Sequence, residues 1–294
     1  MRFIRRKVKA VTVAAVVSVF LLLSQSGCSP SLVAQEEEPV IFGVIDVGQG
    51  LSQILMQGNR AILFDAGTED PARCWTAAYR RLGSPRLEAV VISHRDLDHA
   101  GGLRFLDETV DWSGRLIAGK WEDTAFIRSC CSKWNGPVTV STIAQDDSIY
   151  FTDNCSIDCR WPAASAPDSV PVTDETTNDY SLVLSILFRN AGILLTGDID
   201  STTAKLVTRK YQAALRADIV VVPHHGSASS NCPLLYGYSR PNVAIISVGE
   251  DNTYGHPAPS TTDLLADLGI VCRATDVEGS IYLRTSGYYW ENGK

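Results

Sequence analysis

The sequence predicts an α/β fold, an αββα sandwich in which two mixed β-sheets pack face to face and helices cover the outer faces. Two observations lead to this prediction. Short apolar runs alternate with helical patterns, and each half of the chain is rich in strands that are followed by helices. In addition, two Val- and Ile-rich strands, residues 89–92 and 219–222, lead directly into histidine motifs, which places polar chemistry at strand ends.

The individual elements follow from periodicity and turn residues. In the first half, a helix is predicted from Pro71 to residue 82, and strands are predicted at residues 41–47, 53–56, 61–64 and 89–92. In the second half, helices are predicted at residues 202–211 and 260–268, the latter capped by Ser260. The strands predicted there are residues 182–188, 193–195, 219–222, 243–248 and 281–284. Residues 116–172 lack a clear pattern and are interpreted as an insertion that carries most of the cysteines.

The amino terminus has the features of an export signal. Five Lys and Arg residues precede residues 10–23, an uncharged, mostly apolar run that is too short to span a bilayer comfortably. The run ends in a segment similar to a bacterial lipobox, except that Gln25 stands where Leu is usual. We therefore predict a signal peptide over residues 1–28. Lipid attachment at Cys28, simple cleavage and an uncleaved anchor are the alternatives, and each predicts a periplasmic or cell-surface domain.

The remaining chain is predicted to be a linker, residues 29–39, followed by one domain, residues 40–294, because the motifs are spread over its whole length. The formal net charge is −7, and loss of the basic signal peptide makes the mature protein more acidic. Such a charge disfavours sequence-independent binding along a nucleic acid. A polyanionic substrate must therefore be held locally, by bound cations.

Seven cysteines follow Cys28, and their spacing is not that of a zinc ribbon. In an exported protein this pattern favours disulfides over a second metal site. Because seven is odd, at least one thiol stays free or pairs between chains. The connectivity does not follow from the sequence, and Cys155 with Cys159 is the most local pair.

All five histidines lie in three short motifs, which predicts a metal site. Two of them flank the carboxylates of segment 93–99 (SHRDLDH), His224 and His225 are adjacent, and His256 lies in segment 254–257 (YGHP). Imidazole nitrogens and carboxylate oxygens are the donors that a divalent-cation site needs.

The conformation of segment 93–99 is predicted from the same motif. Alternate side chains of an extended segment face one way, so His94, Asp96 and Asp98 can converge while His99 turns toward a neighbouring ion. Mixed oxygen and nitrogen donors at this spacing are typical of a two-metal site.

Segment 94–99 resembles the His-x-His-x-Asp-His signature of the metallo-β-lactamase superfamily, with Asp96 in place of the second histidine. This replacement is characteristic of the branch that contains the metal-binding domain of ComEC/Rec2-type competence proteins. Leu51 departs from that branch, which usually has Asp after Gly-Gln-Gly. The resemblance extends over about residues 40–285, in the family's order, through segments 46–50 (DVGQG), 64–67 (FDAG), 178–183 (NDYSLV), 195–198 (LTGD), 224–227 (HHGS) and 254–257 (YGHP).

The resemblance implies a centre with two divalent metal ions, Zn²⁺ or Mn²⁺. In the family the aspartate at the position of Asp198 bridges the ions, although a helix cap is an alternative role for Asp198. The isolated histidine that the family usually carries between the two main motifs is absent, and the oxygen-rich donor set favours Mn²⁺ more than a histidine-rich set would. The predicted ligands are His94, Asp96, Asp98, His99, Asp198 and His225.

The two adjacent histidines are expected to have different roles. Neighbouring side chains at a strand end point to opposite sides, so both are not expected to bind one ion. By resemblance to related phosphodiesterases, His225 is the predicted ligand. His224 would then face the substrate or an aspartate, and a satisfied core histidine is its alternative role.

Four further residues are predicted to support the site or contact the substrate: Asp65, Asn178, Ser181 and Ser227. The resemblance implies that Asp65 orients the metal loop, with a simple turn carboxylate as the alternative. Asn178 and Ser181 stand where the isolated histidine is missing. Ser227 can hold a phosphate oxygen or can simply belong to a serine-rich loop.

These observations predict an exported hydrolase in which a two-metal-activated water attacks a phosphodiester. Asp98, His224 and His256 are the catalytic candidates, the histidines as proton donors to the leaving oxygen. The expected substrates are small-molecule or oligonucleotide phosphodiesters, and the resemblance adds single-stranded DNA. Two alternatives stay open. One is a hydrolase of another ester or amide, such as phosphorylcholine, teichoic acid or a lactam, and the other is a non-catalytic surface protein stabilised by metal.

Overall fold

Two mixed β-sheets form the centre of the computed structural model, which describes residues 38–165 and 178–293. The predicted signal peptide, Cys28 and nearly all of the predicted linker lie outside the described residues. In chain order the strands are β1 (Val40–Val44), β2 (Ser52–Gln57), β3 (Arg60–Ala66), β4 (Arg86–Ile92), β5 (Arg115–Gly119), β6 (Thr139–Ile143), β7 (Ser148–Thr152), β8 (Cys155–Trp161), β9 (Val183–Phe188), β10 (Ala191–Leu195), β11 (Ile219–Val221), β12 (Val243–Ile246), β13 (Val271–Ala274), β14 (Ile281–Thr285) and β15 (Trp290–Asn292).

The first sheet consists of β1–β6 together with the last two strands, β14 and β15, and the second sheet consists of β7–β13. The first sheet has the order β15-β14-β1-β2-β3-β4-β5-β6, antiparallel up to β3 and parallel beyond it. The second has the order β13-β12-β11-β10-β9-β8-β7, parallel from β13 to β10 and antiparallel beyond. Both sheets are mixed, as predicted.

Short helices lie between the strands, and within the described residues none is long and apolar enough to cross a membrane. The α-helices are α1 (Thr76–Arg81), α2 (Leu97–Ala100), α3 (Thr124–Cys130), α4 (Ser201–Tyr211), α5 (Pro233–Ser239), α6 (Pro259–Asp267) and α7 (Thr275–Glu278). Short 3-10 segments include Pro71–Arg73, Gly101–Phe105, Asn178–Tyr180 and Pro223–Gly226.

Three apolar clusters show how the layers pack. The cluster between the sheets combines side chains of the first sheet, such as Phe42 and Phe64, with side chains of the second, such as Ile186 and Ile193. A second cluster joins the outer face of the first sheet to helix α1, and a third joins the outer face of the second sheet to α4, α5 and α6. Burial of both faces of each sheet confirms the predicted αββα sandwich.

Residues 116–172 are not an insertion, which corrects the prediction. Within their described part, β5 and β6 extend the first sheet, while β7 and β8 form the far edge of the second. Strand β8 alternates between buried and half-buried positions, and its buried positions are Cys155, Ile157 and Cys159. The pattern escaped recognition because two of its three core side chains are cysteines, which were interpreted by their redox chemistry.

The same strand excludes the suggested disulfide. Cys155 and Cys159 are four residues apart on one extended strand, a separation of about 13 Å. A disulfide joins Cα atoms that lie within about 7 Å of each other. All seven described cysteines are free thiols, and burial raises the pKa of both Cys155 and Cys159 to about 12. These thiols serve as core side chains.

Two predicted helices begin at different residues in the structure. The helix expected from Pro71 is interrupted, because Cys74 is extended and α1 starts only at Thr76. Helix α6 has Pro259 as its first residue after Ala258, so Ser260 lies inside the helix and does not cap it. Proline suits the first helical position because its missing N–H would have no partner there.

Candidate metal centre

The predicted ligands follow strands of both sheets. Segment 93–99 follows β4 of the first sheet, Asp198 follows β10, and the histidine pair follows β11. Strands β10 and β11 are parallel neighbours, so their carboxyl ends lie at the same edge of the second sheet. The fold thus brings together side chains that are more than one hundred residues apart.

The loop after β4 is only partly extended, which corrects the alternation argument. Asp96 has extended backbone angles, but Leu97–Ala100 form the single helical turn α2. Asp98 and His99 therefore project from a helical turn. Gly102 follows closely, and a Cβ at that position would overlap the carbonyl oxygen of Ala66, so the loop needs glycine there.

Four of the predicted ligands form a tight group, called here the four-ligand cluster. Asp98, His99, Asp198 and His225 each offer one ligand atom, and these atoms all lie within 4.8 Å of one another. His99 Nε2 is 3.2 Å from Asp198 Oδ1, and His225 Nε2 is 3.3 Å from Asp98 Oδ2. Aspartate and histidine in such a group are suitable donors for a divalent cation.

His94 and Asp96 form a neighbouring pair. His94 Nε2 is 3.6 Å from Asp96 Oδ2, and the ring of His94 lies 4.1 Å from the ring of His99. All six predicted ligands are thus brought together, four in the cluster and two beside it.

Several of the nitrogen and oxygen atoms that could bind a metal have no hydrogen-bond partner among the described residues. In His225, Nδ1–H donates to the carbonyl oxygen of Ser247 at 2.8 Å, which directs Nε2 toward Asp98 and Asp198. Three buried imidazole Nε2 atoms and Oδ1 of Asp198 have no hydrogen-bond partner among the described residues. Each such atom costs about 1–3 kcal/mol when left unsatisfied. A divalent cation would satisfy all of these atoms, so the donor set fits a metal. The three imidazoles are those of His94, His99 and His225.

Asp65 connects the loop to its surroundings. It is 2% exposed, and its Oδ2 accepts from His99 Nδ1–H at 3.0 Å. Its Oδ1 accepts from the backbone N–H of Ser93 at 2.7 Å, and its Oδ2 also accepts from the Ser93 hydroxyl at 2.9 Å. These bonds support the orienting role over that of a simple turn carboxylate. Ser93 itself was missed in the sequence analysis, although its place before His94 was a usable signal.

Neighbouring histidines determine the protonation state of the two aspartates in the four-ligand cluster. Burial raises the pKa of Asp98, but the adjacent His99 and His225 rings outweigh this effect and bring that pKa to about 2. Burial opposes ionisation of Asp198 too, yet His99 and His225 hold the pKa of Asp198 well below its usual value. Both carboxylates are therefore ionised at neutral pH, as metal ligands must be.

His224 and His225 do not point to opposite sides, which corrects the strand-end argument, because Nε2 of His225 lies 3.5 Å and Nε2 of His224 lies 3.9 Å from the same Asp198 Oδ2. They do not lie at a strand end; both occupy the 3-10 segment Pro223–Gly226 with φ of +51° and +52°. His225 is 3% exposed within the four-ligand cluster, whereas the side chain of His224, outside that cluster, is 30% exposed. Burial lowers the pKa of His224, so its ring is neutral at pH 7.

A row of rings continues from His224 to the surface. Its ring meets that of His256 edge to face at 5.9 Å, and His256 stacks on Tyr254 at 5.9 Å with an interplanar angle of 18°. Burial also lowers the pKa of His256. The row leads from the cluster to Tyr254, which is 71% exposed.

Of the remaining predicted residues, Ser181 contacts Asp198, whereas Ser227 does not line the cavity. Ser181 is fully buried, and its hydroxyl accepts from the backbone N–H of Asp198 at 3.2 Å, so it supports the aspartate from behind. Ser227 lies in a local turn, where its hydroxyl accepts from Ser229 N–H, and it does not line the cavity. Asp200 caps α4 through Thr203 N–H, so the helix-cap alternative for Asp198 is not realised.

An open cavity of about 740 Å³ gives access to the cluster. Apart from histidines, the charged residues that line this cavity are one arginine, Arg95, and five aspartates or glutamates. Such a cavity repels an anionic substrate unless bound cations neutralise it. The lining residues that sequence reasoning missed as site residues are Gln49, Thr68, Glu69, Arg95, Leu97, Asp123, Phe126 and Tyr254.

Comparisons with known proteins agree with this geometry. Residues 45–153 match the Metallo-beta-lactamase superfamily. Over 290 residues the chain is 27% identical to Competence protein ComA of Neisseria gonorrhoeae, covering 93% of this chain and 38% of ComA. It is 25% identical over 243 residues to Recombination protein 2 of Haemophilus influenzae, covering 81% and 28% of the two chains. The chain thus spans much less than half the length of either relative.

A solved structure shows the same fold. The metallo-β-lactamase fold protein YhfI from Bacillus subtilis aligns with a TM-score of 0.54 at 11% identity, covering 85% of this chain and all of YhfI. At this identity the similarity concerns the fold alone. The family match and the two relatives, together with Asp96 in the signature, support the similarity of this chain to the ComEC/Rec2-type branch of the metallo-β-lactamase superfamily.

Proposed function

We propose that this chain is a metal-dependent phosphodiesterase with nuclease-like activity. The observation that supports it most directly is the set of buried imidazole nitrogens and Asp198 Oδ1 without hydrogen-bond partners in the described chain. Asp98, Asp198 and His225 of that cluster also line the open cavity, so a substrate can reach them. A purely structural metal site is normally closed, whereas a catalytic one keeps access for water and substrate.

In this proposal the four-ligand cluster would hold one cation, and His94 and Asp96 would contribute donors to a second. Bound divalent cations supply an activated water and neutralise phosphoryl oxygens. The carboxylates Asp98 and Asp198 hold the cations in place because both are ionised at neutral pH. Zn²⁺ and Mn²⁺ are both suitable for this mixture of oxygen and nitrogen donors.

His224 and His256 are proposed to act on the substrate. Both line the cavity, and neither belongs to the four-ligand cluster. Each neutral ring carries one N–H, which can donate to a phosphoryl oxygen or to the leaving oxygen. Arg95, the only Lys or Arg among the cavity-lining residues, is placed to contact the same phosphate charge.

A phosphodiester is favoured over a lactam by two considerations. Both relatives carry names connected with DNA, since competence is DNA uptake and recombination joins DNA strands. The cavity also carries aromatic side chains beside its polar floor, Phe126 at 39% and Tyr254 at 71% exposed. Exposed rings of this kind stack on unpaired bases, so single-stranded DNA is the substrate that we propose to test first.

The location of the domain is proposed from residues 1–28 alone. Their basic and apolar segments indicate export, so the domain of residues 40–294 would act in the periplasm or at the cell surface. A lipid tether through Cys28 is part of this proposal. Mass spectrometry of the membrane-associated protein would show the lipid.

The deciding experiment measures metal content and hydrolysis together. Purified protein is stripped of metal, reloaded with Mn²⁺ or Zn²⁺, and assayed on bis-p-nitrophenyl phosphate and on single-stranded DNA. We expect metal-dependent cleavage of both substrates, with activity lost in Asp98→Ala although the protein stays folded and retains its secondary structure. Ser239→Ala, which removes a buried hydroxyl from α5, is the control expected to keep activity.

Other outcomes distinguish the alternatives. Hydrolysis of phosphorylcholine esters or a lactam, with no cleavage of either phosphodiester, would support a different hydrolase. Metal binding that raises thermal stability with no turnover of any of these substrates would support a non-catalytic surface protein.

A further inference from the structure

The hydroxyl of Ser93 lies among three charged or titratable side chains. Its Oγ is 2.9 Å from Asp65 Oδ2, 3.0 Å from His94 Nδ1 and 3.2 Å from His99 Nδ1. Ser93 is 7% exposed, so water does not readily replace these contacts. No motif of the sequence analysis assigned a function to this hydroxyl.

The hydrogens and lone pairs on each group determine which group donates and which accepts in each of these hydrogen bonds. A hydroxyl carries one hydrogen and two acceptor lone pairs, and a carboxylate such as that of Asp65 accepts hydrogen bonds. The Ser93 hydrogen therefore points to Asp65 Oδ2. Ser93 Oγ can then only accept further hydrogen bonds, and the nearest donor is Nδ1–H of His94.

His94 depends on this hydroxyl more than its neighbours do. His99 Nδ1–H has Asp65 Oδ2 as a direct acceptor at 3.0 Å, and His225 Nδ1–H has the Ser247 carbonyl. For His94 the Ser93 hydroxyl is the hydrogen-bond partner that the structure shows at Nδ1. The tautomer of an imidazole is set by the bond that its second nitrogen makes.

We propose that Ser93 is a positioning residue that fixes His94 in its Nδ1–H tautomer, so that Asp65 orients both loop histidines, one directly and one through the Ser93 hydroxyl. This keeps Nε2 of His94 as a lone pair that faces the site. The inference rests on the metal-binding role proposed for His94, but it requires no particular substrate.

The backbone holds Ser93 so that its side chain can do this. Its N–H donates to Asp65 Oδ1, and its carbonyl oxygen accepts from the N–H of Leu182 at 3.0 Å. Asp65 is the penultimate residue of β3 in the first sheet, whereas Leu182 immediately precedes β9 of the second. Ser93 is thus fixed from both sheets, and its hydroxyl has little freedom to leave the three side chains.

The test observes the tautomer directly. Metal-free protein with ¹⁵N-labelled histidine is studied by NMR, in which two-bond correlations identify the protonated nitrogen of each ring. The chain has five histidines, so the signals can be assigned with single substitutions. We expect Nδ1–H at His94 in the wild type and Nε2–H at His94 in Ser93→Ala, while His225 is unchanged.

The second measurement is metal affinity, obtained by competition with a chelator. Loss of an outer partner of a ligating histidine typically weakens binding about 10- to 100-fold. We expect a loss of this size in Ser93→Ala, wild-type affinity in Ser239→Ala, and near wild-type affinity in Ser93→Thr, which keeps a hydroxyl. No step uses a substrate, so the absence of nuclease activity would not affect the result.

Several outcomes overturn the proposal. An Nε2–H tautomer of His94 in the wild type would do so without any variant, which matters if Ser93→Ala fails to fold. An Nδ1–H tautomer that persists in folded Ser93→Ala, or unchanged metal affinity in that variant, would show that the hydroxyl does not position His94.

Discussion

Three chemically different groups contact Nδ1 of the three imidazoles of the site: a carboxylate at His99, a hydroxyl at His94 and a backbone carbonyl at His225. In all three arrangements Nε2 is the buried ring nitrogen that has no hydrogen-bond partner among the described residues. The sequence identified the inward donors because their motif spacing is distinctive. It could not identify Ser247, since any residue provides a carbonyl oxygen and only the fold brings that one to His225.

The adjacent histidines give a prediction at this scale. His225→Ala is expected to lose bound metal, because Nε2 of His225 is buried beside both Asp98 and Asp198. His224→Ala is expected to retain metal and to lose turnover by about 10²- to 10³-fold, the usual effect of losing a hydrogen-bond donor to charge that develops in the transition state. Metal stoichiometry and steady-state rates of both purified variants check this. Metal loss confined to His224→Ala would contradict the assignment.

Tyr254 gives a second prediction, which concerns the substrate. If its exposed ring stacks on a base, Tyr254→Ala should weaken binding of single-stranded DNA by about 1–3 kcal/mol. Hydrolysis of bis-p-nitrophenyl phosphate should change little because that substrate has no base. Tyr289 is 69% exposed and does not line the cavity, so Tyr289→Ala is a matched control. Equal losses in both variants, measured by fluorescence anisotropy, would argue against a base contact.

Among the elements, those with strong local signals were predicted and those defined by packing were not. The strands that lead into the histidine motifs were recognised from their Val- and Ile-rich runs, and the structure confirms them as β4 and β11. Strand β8 was missed because cysteine occupies its inward positions. The turn α2 was missed because a single turn of four residues has no periodicity, although it places Asp98 and His99 in one cluster.

Helix α4 gives a prediction at this scale because two aspartates precede it. Asp200 caps the helix, and its loss in Asp200→Ala should lower the free energy of unfolding by about 1 kcal/mol without loss of metal. Asp198→Ala should instead abolish high-affinity metal binding, since Asp198 belongs to the four-ligand cluster. Urea unfolding of the metal-free proteins and metal titration separate the effects. Metal loss in Asp200→Ala would mean that the capping and ligand roles have been assigned to the wrong aspartates.

At the scale of the whole molecule, the site joins the two sheets. Asp98 and His99 follow β4 of the first sheet, while Asp198 and His225 follow β10 and β11 of the second. The sheets also share the central apolar cluster, so their relative position is already fixed by packing. The ligands therefore meet in a geometry that exists before metal binds. The sequence contained the ligands, but only the tertiary packing of the sheets determines which of them meet.

A bound cation should stabilise the whole domain, because it binds the folded chain and finds no assembled site in the unfolded one. At a free metal concentration about 100 times the dissociation constant, the free energy of unfolding should rise by about 2.7 kcal/mol. Urea unfolding with and without Mn²⁺ or Zn²⁺ measures this increase. His225→Ala should lose most of it, whereas His256→Ala should retain it because His256 is outside the four-ligand cluster. An equal increase in all three proteins would place the stabilising ion somewhere other than this site.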